Sequence, residues 1–431
     1  SDDTEKPNII FIYTDDMGWG DLSFHGNPEV ENPNLTKLAE EGTDYHQFYV
    51  NSPVCSPSRT SVLTGHYPSR HGVHLAIRGK KKNRKYGQVD FLNPEVTMLP
   101  RLMQKAGYKT GHFGKWHLTF KDFYGVAPLP EDYGYDEAKV MLGPGSQTNH
   151  VRLFDDAISF IRRNKDKPFY INMWLHEPHI AHHPSEKAMK KFSHLDEQQQ
   201  VYSAVLWDAD RRIGKVLETL ENLGIEDDTI VMFSSDNGPE NTGNPSAKKK
   251  GSGYGKYHCV GDTGGLKGRK RHLYEGGVRM PFIVRWPGHT PAGEINKETV
   301  ISAVDLLPTF CKIAGVELPD EYQPDGVNML PALLGNEVKR DKPLFWQWKG
   351  KRGGKKWPRL AIRDGKWKLL MDENKMELYN IIKDRGENNN LVNKYPDKAK
   401  ELKQKLLDWK EKNKKKVETN YEASRSWKYN N

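Results

Sequence analysis

Asp15 and Asp16 follow the apolar run Asn8-Ile9-Ile10-Phe11-Ile12-Tyr13-Thr14, and Asp236 and Asn237 follow a second run, Thr229-Ile230-Val231-Met232-Phe233, after Ser234 and Ser235. Carboxylates set side by side repel, so two such strand ends placed as neighbours make best chemical sense around a divalent cation. An all-oxygen donor set favours Ca²⁺ or Mg²⁺ over zinc. The plainer reading makes Asp16 and Asn237 helix caps. Cys55 lies in Asn51-Ser52-Pro53-Val54-Cys55-Ser56-Pro57-Ser58-Arg59, just before a helix that Pro57 can start. A helix N-terminus favours anions, so a cysteine nucleophile and an oxyanion site beside a metal are both open readings.

These groups need a scaffold that brings distant segments to one place. Four short runs rich in β-branched or aromatic residues read as buried strands: 8–14, 108–113, 169–175 and 229–233. Each ends in a polar or glycine-rich cluster, the second in Gly114-Lys115-Trp116-His117 and the third in His176. Helical patterns fall between them, at 34–42, 58–65, 97–106, 152–163, 197–223 and 302–314. That alternation predicts an α/β fold, a large and mainly parallel sheet sandwiched by helices, whose ligand crevice lies outside the carboxyl ends of the strands. From about residue 341 short alternating strands (359–363, 366–371, 376–379) and a Lys-rich helix near 396–416 predict a smaller C-terminal antiparallel sheet plus helix. The expected division is a catalytic domain over 1–340 and a small subdomain over 341–431. Lys80-Lys81-Lys82 and Lys248-Lys249-Lys250 read as solvated loops.

The chain has 431 residues, 66 Lys and Arg against 57 Asp and Glu, and a net charge of +9. Residues 341–431 hold 25 Lys and Arg against 13 Asp and Glu, so the basic excess belongs to the C-terminal part, and the first 340 residues are slightly acidic. This suits weak, salt-sensitive attraction of a polyanion, or solubility alone. No nucleic-acid motif accompanies the charge. No apolar run approaches the ~20 residues that span a bilayer. The start, Ser1-Asp2-Asp3-Thr4-Glu5-Lys6, is no signal peptide and is expected to be that of a mature, periplasmic or secreted form. The three cysteines, Cys55, Cys259 and Cys311, are too few for a disulfide scaffold, although the last two could pair.

Cys55-Ser56-Pro57-Ser58-Arg59 with Leu63-Thr64-Gly65 resembles the maturation motif of the type I sulfatases, members of the alkaline phosphatase superfamily. Asp15-Asp16-Met17-Gly18-Trp19-Gly20-Asp21, Gly114-Lys115-Trp116-His117, Ser235-Asp236-Asn237-Gly238 and Tyr274-Glu275-Gly276-Gly277-Val278-Arg279-Met280-Pro281 resemble further sulfatase blocks, in family order over roughly residues 6–385. The resemblance implies that Cys55 is converted to Cα-formylglycine by a formylglycine-generating or anaerobic maturation enzyme. It also implies that one Ca²⁺ is held by Asp15, Asp16, Asp236, Asn237 and the modified Cys55. Arg59 would fix the hydrated aldehyde and neutralise sulfate charge, Lys115 would bind sulfate, and His117 would act as the base that expels it. His176 and Lys270 would contact the sulfate and the leaving oxygen. His179 is the alternative to His176, and Lys270 is chosen by its spacing to Glu275.

Beyond the sulfate, Arg70, His71, His74 and Arg78 after the nucleophile helix, and Trp346, Trp348 and Arg352 at the entry to the small domain, are candidate contacts for a sugar. The expected reaction is hydrolysis of a sulfate ester on a sulfated carbohydrate. The rivals are a phosphonate monoester or phosphodiester hydrolase of the same superfamily, and a non-catalytic polyanion-binding protein with an inert Cys55.

Overall fold

A computed structural model of the chain describes residues 6–120, 127–141, 150–350, 358–373 and 375–426. The strand Asn8–Thr14 is buried at all seven positions. It lies between Phe169–Trp174 and Thr229–Ser235, parallel to both. Lys109–Lys115 and Glu137–Met141 extend the sheet on the Phe169–Trp174 side, also in parallel. On the other side Phe282–Arg285 runs antiparallel to its two neighbours, Thr229–Ser235 and Thr43–Tyr45, and Glu294–Asn296 forms the edge. The sheet is therefore eight-stranded with one strand reversed.

Side chains alternate across this sheet with period two. Ile9, Phe11 and Tyr13 pack on one face with Val62 and Leu63, Leu99 and Leu102, and Leu307 and Phe310. Ile10 and Ile12 pack on the other with Leu35, Phe154, Ile213 and Leu217. Helices Cys55–Thr64, Leu99–Lys105 and Leu306–Ala314 thus cover the first face, and Pro33–Glu40, His150–Asn164 and Glu197–Leu223 the second. Both faces are dry, which explains strands that are apolar throughout.

The C-terminal part is a four-stranded antiparallel meander, Leu344–Gln347, Leu360–Asp364, Trp367–Met371 and Met376–Asn380. Helix Pro396–Ser426 covers it through Ala399, Leu402 and Leu406. The first of these strands had no alternation clear enough to be seen in the sequence. Its other face is fused to the main core: Trp346 is buried and its Nε1–H donates to the Val50 carbonyl at 2.8 Å. A buried ionic group crosses the same boundary. Lys368, with no exposed side-chain surface, pairs with Glu275 at 2.9 Å and Glu387 at 3.0 Å, while Tyr49 donates to Glu275. The Glu of the Glu-Gly-Gly block therefore ties the two parts together.

Burial, then the nearby Glu275 charge, pushes the Glu387 carboxyl up to about 7 against the pull of Lys368. A carboxyl raised in the folded state contributes stability that is present below its ordinary value of about 4.5 and lost as pH rises through about 7. Glu275, held down at about 2 by its cations against burial, acts only below that window. Glu387→Gln is therefore expected to flatten the fall of Tm between pH 5 and pH 7. Thermal unfolding of the two proteins across that range checks it, and an unchanged slope would contradict the assignment.

Candidate active site

Four strand ends meet at one edge of the sheet. Asp15 and Asp16 leave Asn8–Thr14, Asp236 and Asn237 leave Thr229–Ser235, Lys115 ends its own strand, and His176 follows Phe169–Trp174. One donor atom each from Asp15, Asp16 and Asp236 lies within 4.8 Å of the others, and all three residues are buried. Neither Asp16 nor Asn237 caps a helix. The Asp16 amide donates to Asp236 Oδ1 at 3.2 Å, and Asn237 Nδ2–H donates to Asp16 Oδ1 at 2.7 Å. Asp16 has φ 69°, which turns its carboxylate back toward Asp236. Asp21 braces this turn by accepting from the Gly18 and Asp262 amides and from the Tyr202 hydroxyl.

Three cations face the three carboxylates. Lys115 Nζ donates to Asp15 Oδ2, Lys270 Nζ to both oxygens of Asp16, and Arg59 Nε and Nη2 to Asp236 Oδ2 at 3.1 and 2.7 Å. Burial would raise Asp16, but Lys270 and His179 overcome it and hold the carboxyl down at about 2. Asp236 goes the other way: burial and the charge of Asp15 push it up to about 6 despite Arg59. Two oxygens, Asp15 Oδ1 and Asn237 Oδ1, are buried without a hydrogen-bond partner. Orphaned buried acceptors are rare in folded proteins and call for a further donor or an ion. Together with the all-oxygen donor set, they fit a hard divalent cation.

Cys55 is the first residue of helix Cys55–Thr64, every residue of which is buried. The helix ends on Gly65 in a left-handed conformation, φ 63°, whose amide donates to the Ser61 carbonyl. Ser58 Oγ donates to the Asp236 carbonyl at 2.6 Å, clamping the helix to the second strand end. One turn beyond Cys55, Arg59 is fully buried between Trp174 and Tyr13, 4.9 and 5.4 Å from their rings. Burial works against its charge, yet Asp236, Asp15 and Cys55 keep the guanidinium protonated. Its fork is occupied by Asp236, leaving Nη1 without a partner.

A cavity of about 640 Å³ opens over this floor. Cys55, Lys115, His117, His176, His179 and Lys270 all line it. The carboxylates and Arg59 lie beneath the wall rather than in it. His117, with φ 54°, reaches the cavity through a left-handed turn rather than along an extended segment. Its Nε2 is 3.1 Å from the Ile77 carbonyl, which can only accept, so Nε2 carries the proton and Nδ1 is a free lone pair. Burial, then Lys115 and Arg59, hold the imidazole well below its ordinary value, so it is neutral, with its lone pair at Nδ1. Gly114, φ 112°, precedes Lys115 where a Cβ would stand 2.1 Å from the Trp174 carbonyl, so the strand can approach its neighbour here only as glycine.

The outer candidates divide. Arg78 and Trp348 line the cavity. His74 does not line it: its Nε2 accepts from Lys349 Nζ at 3.0 Å and burial pushes it down to about 3. Arg70 pairs with Asp325, His71 stacks on His66, and Trp346 belongs to the core. Arg352 lies outside the described residues. Lys82 and Lys250, read from the sequence as solvated, face the cavity with Tyr86 and Lys256. Glu240 and Arg271 also line it, joined by two contacts of 2.6 and 2.7 Å, and Glu240 stands 4.0 Å from Lys270. No local motif announced that pair. Cys259 and Cys311 are unpaired buried thiols, each pushed up to about 12 by burial, so the disulfide that the sequence left open is absent.

Comparison with known proteins agrees with this geometry. The family model for sulfatases matches residues 7–316, and that for the C-terminal part of N-sulphoglucosamine sulphohydrolase matches residues 267–414. N-acetylgalactosamine-6-sulfatase from Homo sapiens is 32% identical over 376 residues, 79% of this chain and 68% of that protein. Arylsulfatase A from Homo sapiens is 27% identical over 454 residues, 90% and 83% of the two chains. Among solved structures, Ps i-CgsB in complex with k-i-k-neocarrahexaose superposes with a TM-score of 0.80 at 25% identity, over 99% of both chains. With its strand-end carboxylates, its Cys55 helix and its cavity in the family's order, the chain belongs to the sulfatase family of sulfuric ester hydrolases.

Proposed function

We propose that this protein hydrolyses a sulfate ester on a sulfated carbohydrate, with residue 55 as nucleophile precursor and one Ca²⁺ beneath it. The observation that carries the reading is the convergence of Cys55, Lys115, His117, His176 and Lys270 on one cavity above three buried carboxylates. Asp15, Asp16, Asp236 and Asn237 would hold the ion, which supplies charge that polarises the sulfate. Conversion of Cys55 to formylglycine by a maturation enzyme would supply a hydrated aldehyde hydroxyl where the thiol stands.

The chain's own groups then have defined tasks. Lys115 and Lys270 place two ammonium groups at the cavity floor, where a sulfate's oxygens accept from them. Arg59 positions Asp236 through Nε and Nη2 and keeps Nη1 without a partner one turn beyond residue 55. His117 Nδ1 can take a hydroxyl proton from residue 55. His176 faces the same cavity from the end of the neighbouring strand Phe169–Trp174, where it can protonate the departing alkoxide. Arg78, Lys82, Lys250 and Lys256 with Tyr86 and Trp348 give the upper wall cationic and aromatic character suited to an anionic sugar. Sulfated polymers do not cross membranes, so the proposal includes a periplasmic or secreted site of action. Among the described residues no helix is long and apolar enough to cross a membrane.

His176→Ala is expected to slow sulfated sugars at least tenfold more than an activated aryl sulfate, because only a poor leaving group needs its proton. Paired kcat/KM values on the two substrates read this out, and equal losses would remove the acid role. Metal removal gives a second expectation. Ca²⁺ at a hundredfold excess over its Kd should stabilise the stripped protein by about 2.7 kcal/mol. Asp236→Asn should remove most of that shift in a thermal unfolding experiment. A calcium response as large as that of the unmodified protein would move the ion elsewhere.

A further inference from the structure

A second group of ligand atoms lies away from the cavity, where Thr43–Tyr45, the strand next to the sheet edge, meets the turn Ser23–His25. His25 Nε2 is 2.8 Å and His46 Nε2 3.1 Å from one oxygen, Asp44 Oδ2. The side chains of His25 and Asp44 are 1% and 4% exposed, and that of His46 is 17% exposed. None of the three lines the catalytic cavity.

The hydrogen bonding of His25 limits what can sit between these atoms. Its Nδ1 is 2.7 Å from the Trp19 carbonyl, an acceptor only, so Nδ1 carries a proton. In a neutral ring Nε2 is then a lone pair aimed at a carboxylate oxygen, a repulsive contact unless a positive species intervenes. That species is a second proton on the ring or a metal ion. Three features favour the metal. A ring N–H given to a backbone carbonyl is the arrangement that fixes metal-ligating histidines in orientation and tautomer. A second imidazole nitrogen, His46 Nε2, two residues beyond Asp44, reaches the same oxygen, so three ligand atoms from two segments meet at one point. The other carboxylate oxygen, Asp44 Oδ1, is buried with no hydrogen-bond partner, as expected of a ligand that lacks its ion.

We propose that His25, Asp44 and His46 form a zinc site, distinct from the calcium centre, that fastens the loop after the first strand to the strand Thr43–Tyr45. Two imidazoles and a carboxylate are the donors of a borderline dication and not of Ca²⁺. Donor atoms around tetrahedral zinc with bonds of ~2.0 Å stand about 3.3 Å apart; the two imidazole–carboxylate separations here are 2.8 and 3.1 Å, and all three donor atoms lie within 4.8 Å of one another. The partly exposed edge of His46 leaves room for a water as fourth ligand and for entry of the ion. Trp19 stacks on His25 at 3.8 Å and carries Arg385 over its ring at 4.6 Å, closing the far side. The loop so fastened includes Asp21, the brace of the Asp15–Asp16 turn, so the site acts on stability and not on chemistry.

The test uses the full chain, stripped of metal, refilled with Ca²⁺ and titrated with Co²⁺ as a spectroscopic stand-in. One equivalent should bind at micromolar protein, with visible ligand-field bands of a four- or five-coordinate nitrogen–oxygen site, and Zn²⁺ should displace it and raise Tm. His25→Ala and the milder His46→Gln should each lose the bands and the zinc response, while keeping the calcium response and aryl sulfate turnover. Absence of the bands in the unmodified protein would overturn the site in favour of a protonated His25–Asp44 pair. Bands that persist in His46→Gln would overturn it too.

Discussion

Cys55→Ala is expected to lower sulfate-ester turnover by at least ~10⁴-fold, the scale seen when a covalent nucleophile is removed. The thiol is the one reactive group at the point where helix Cys55–Thr64 begins, against the cavity and above the carboxylates. No neighbour can replace it: Ser56 and Ser58 are turned into backbone contacts, Ser56 accepting from the Ile77 amide and Ser58 donating to Asp236. Stability should change little, by about 1 kcal/mol, because a single buried sulfur is removed from a helix that alanine favours. Steady-state rates with a chromogenic aryl sulfate, beside a thermal melt, separate the two effects. Activity within tenfold of the unmodified protein would place the nucleophile elsewhere.

Arg59→Ala should lose both activity and stability, a coupling not expected from its position in the motif alone. The motif suggests a cation exposed to the sulfate. In the structure the guanidinium is fully buried, flanked by Trp174 and Tyr13 and bound to Asp236. Removing one partner of a buried ion pair costs about 3–5 kcal/mol, since the other charge stays buried and unpaired. Here Asp236 also stands beside Asp15, whose charge already raises it. Calcium can restore part of the lost positive charge, so Tm should fall furthest in the metal-stripped variant and recover partly with Ca²⁺. Loss of a preorganised donor at the reacting centre predicts a fall in kcat of about 10²–10³-fold. Arg59→Lys should repair only part of this, because a single ammonium lacks the fork that reaches Asp236 through two nitrogens. A melt and a rate both unchanged in Arg59→Ala would contradict this role.

What the sequence disclosed and what it withheld follow one physical division. Long apolar runs such as 8–14 and 229–233 are legible because a parallel strand buried on both faces must be apolar throughout. Their polar ends are legible because such sheets bind ligands there. Thr43–Tyr45, Phe282–Arg285 and Glu294–Asn296 are three or four residues each, too short for periodicity, and the reversal of Phe282–Arg285 left no trace in the pattern. His117 shows the same limit at a single residue, because its left-handed turn is set by tertiary contacts such as that with Ile77. The Glu240–Arg271 pair joins segments 31 positions apart, and Lys82 and Lys250, read as loop residues, stand in the short helix Lys80–Lys85 and the strand Lys249–Lys250 that border the cavity. His74 erred the other way: next to the nucleophile helix in sequence, it is turned inward onto Lys349.

The central claim is that this cavity releases sulfate from a carbohydrate by way of residue 55. Its most direct test is sulfate release from a panel of defined sulfated mono- and oligosaccharides, using protein produced together with a maturation enzyme, with an aryl phosphonate in parallel. Sulfate release is expected from at least one sugar, none from the Cys55→Ala protein, and phosphonate cleavage should be much slower. Faster cleavage of the phosphonate, or sulfate release that survives Cys55→Ala, would contradict it.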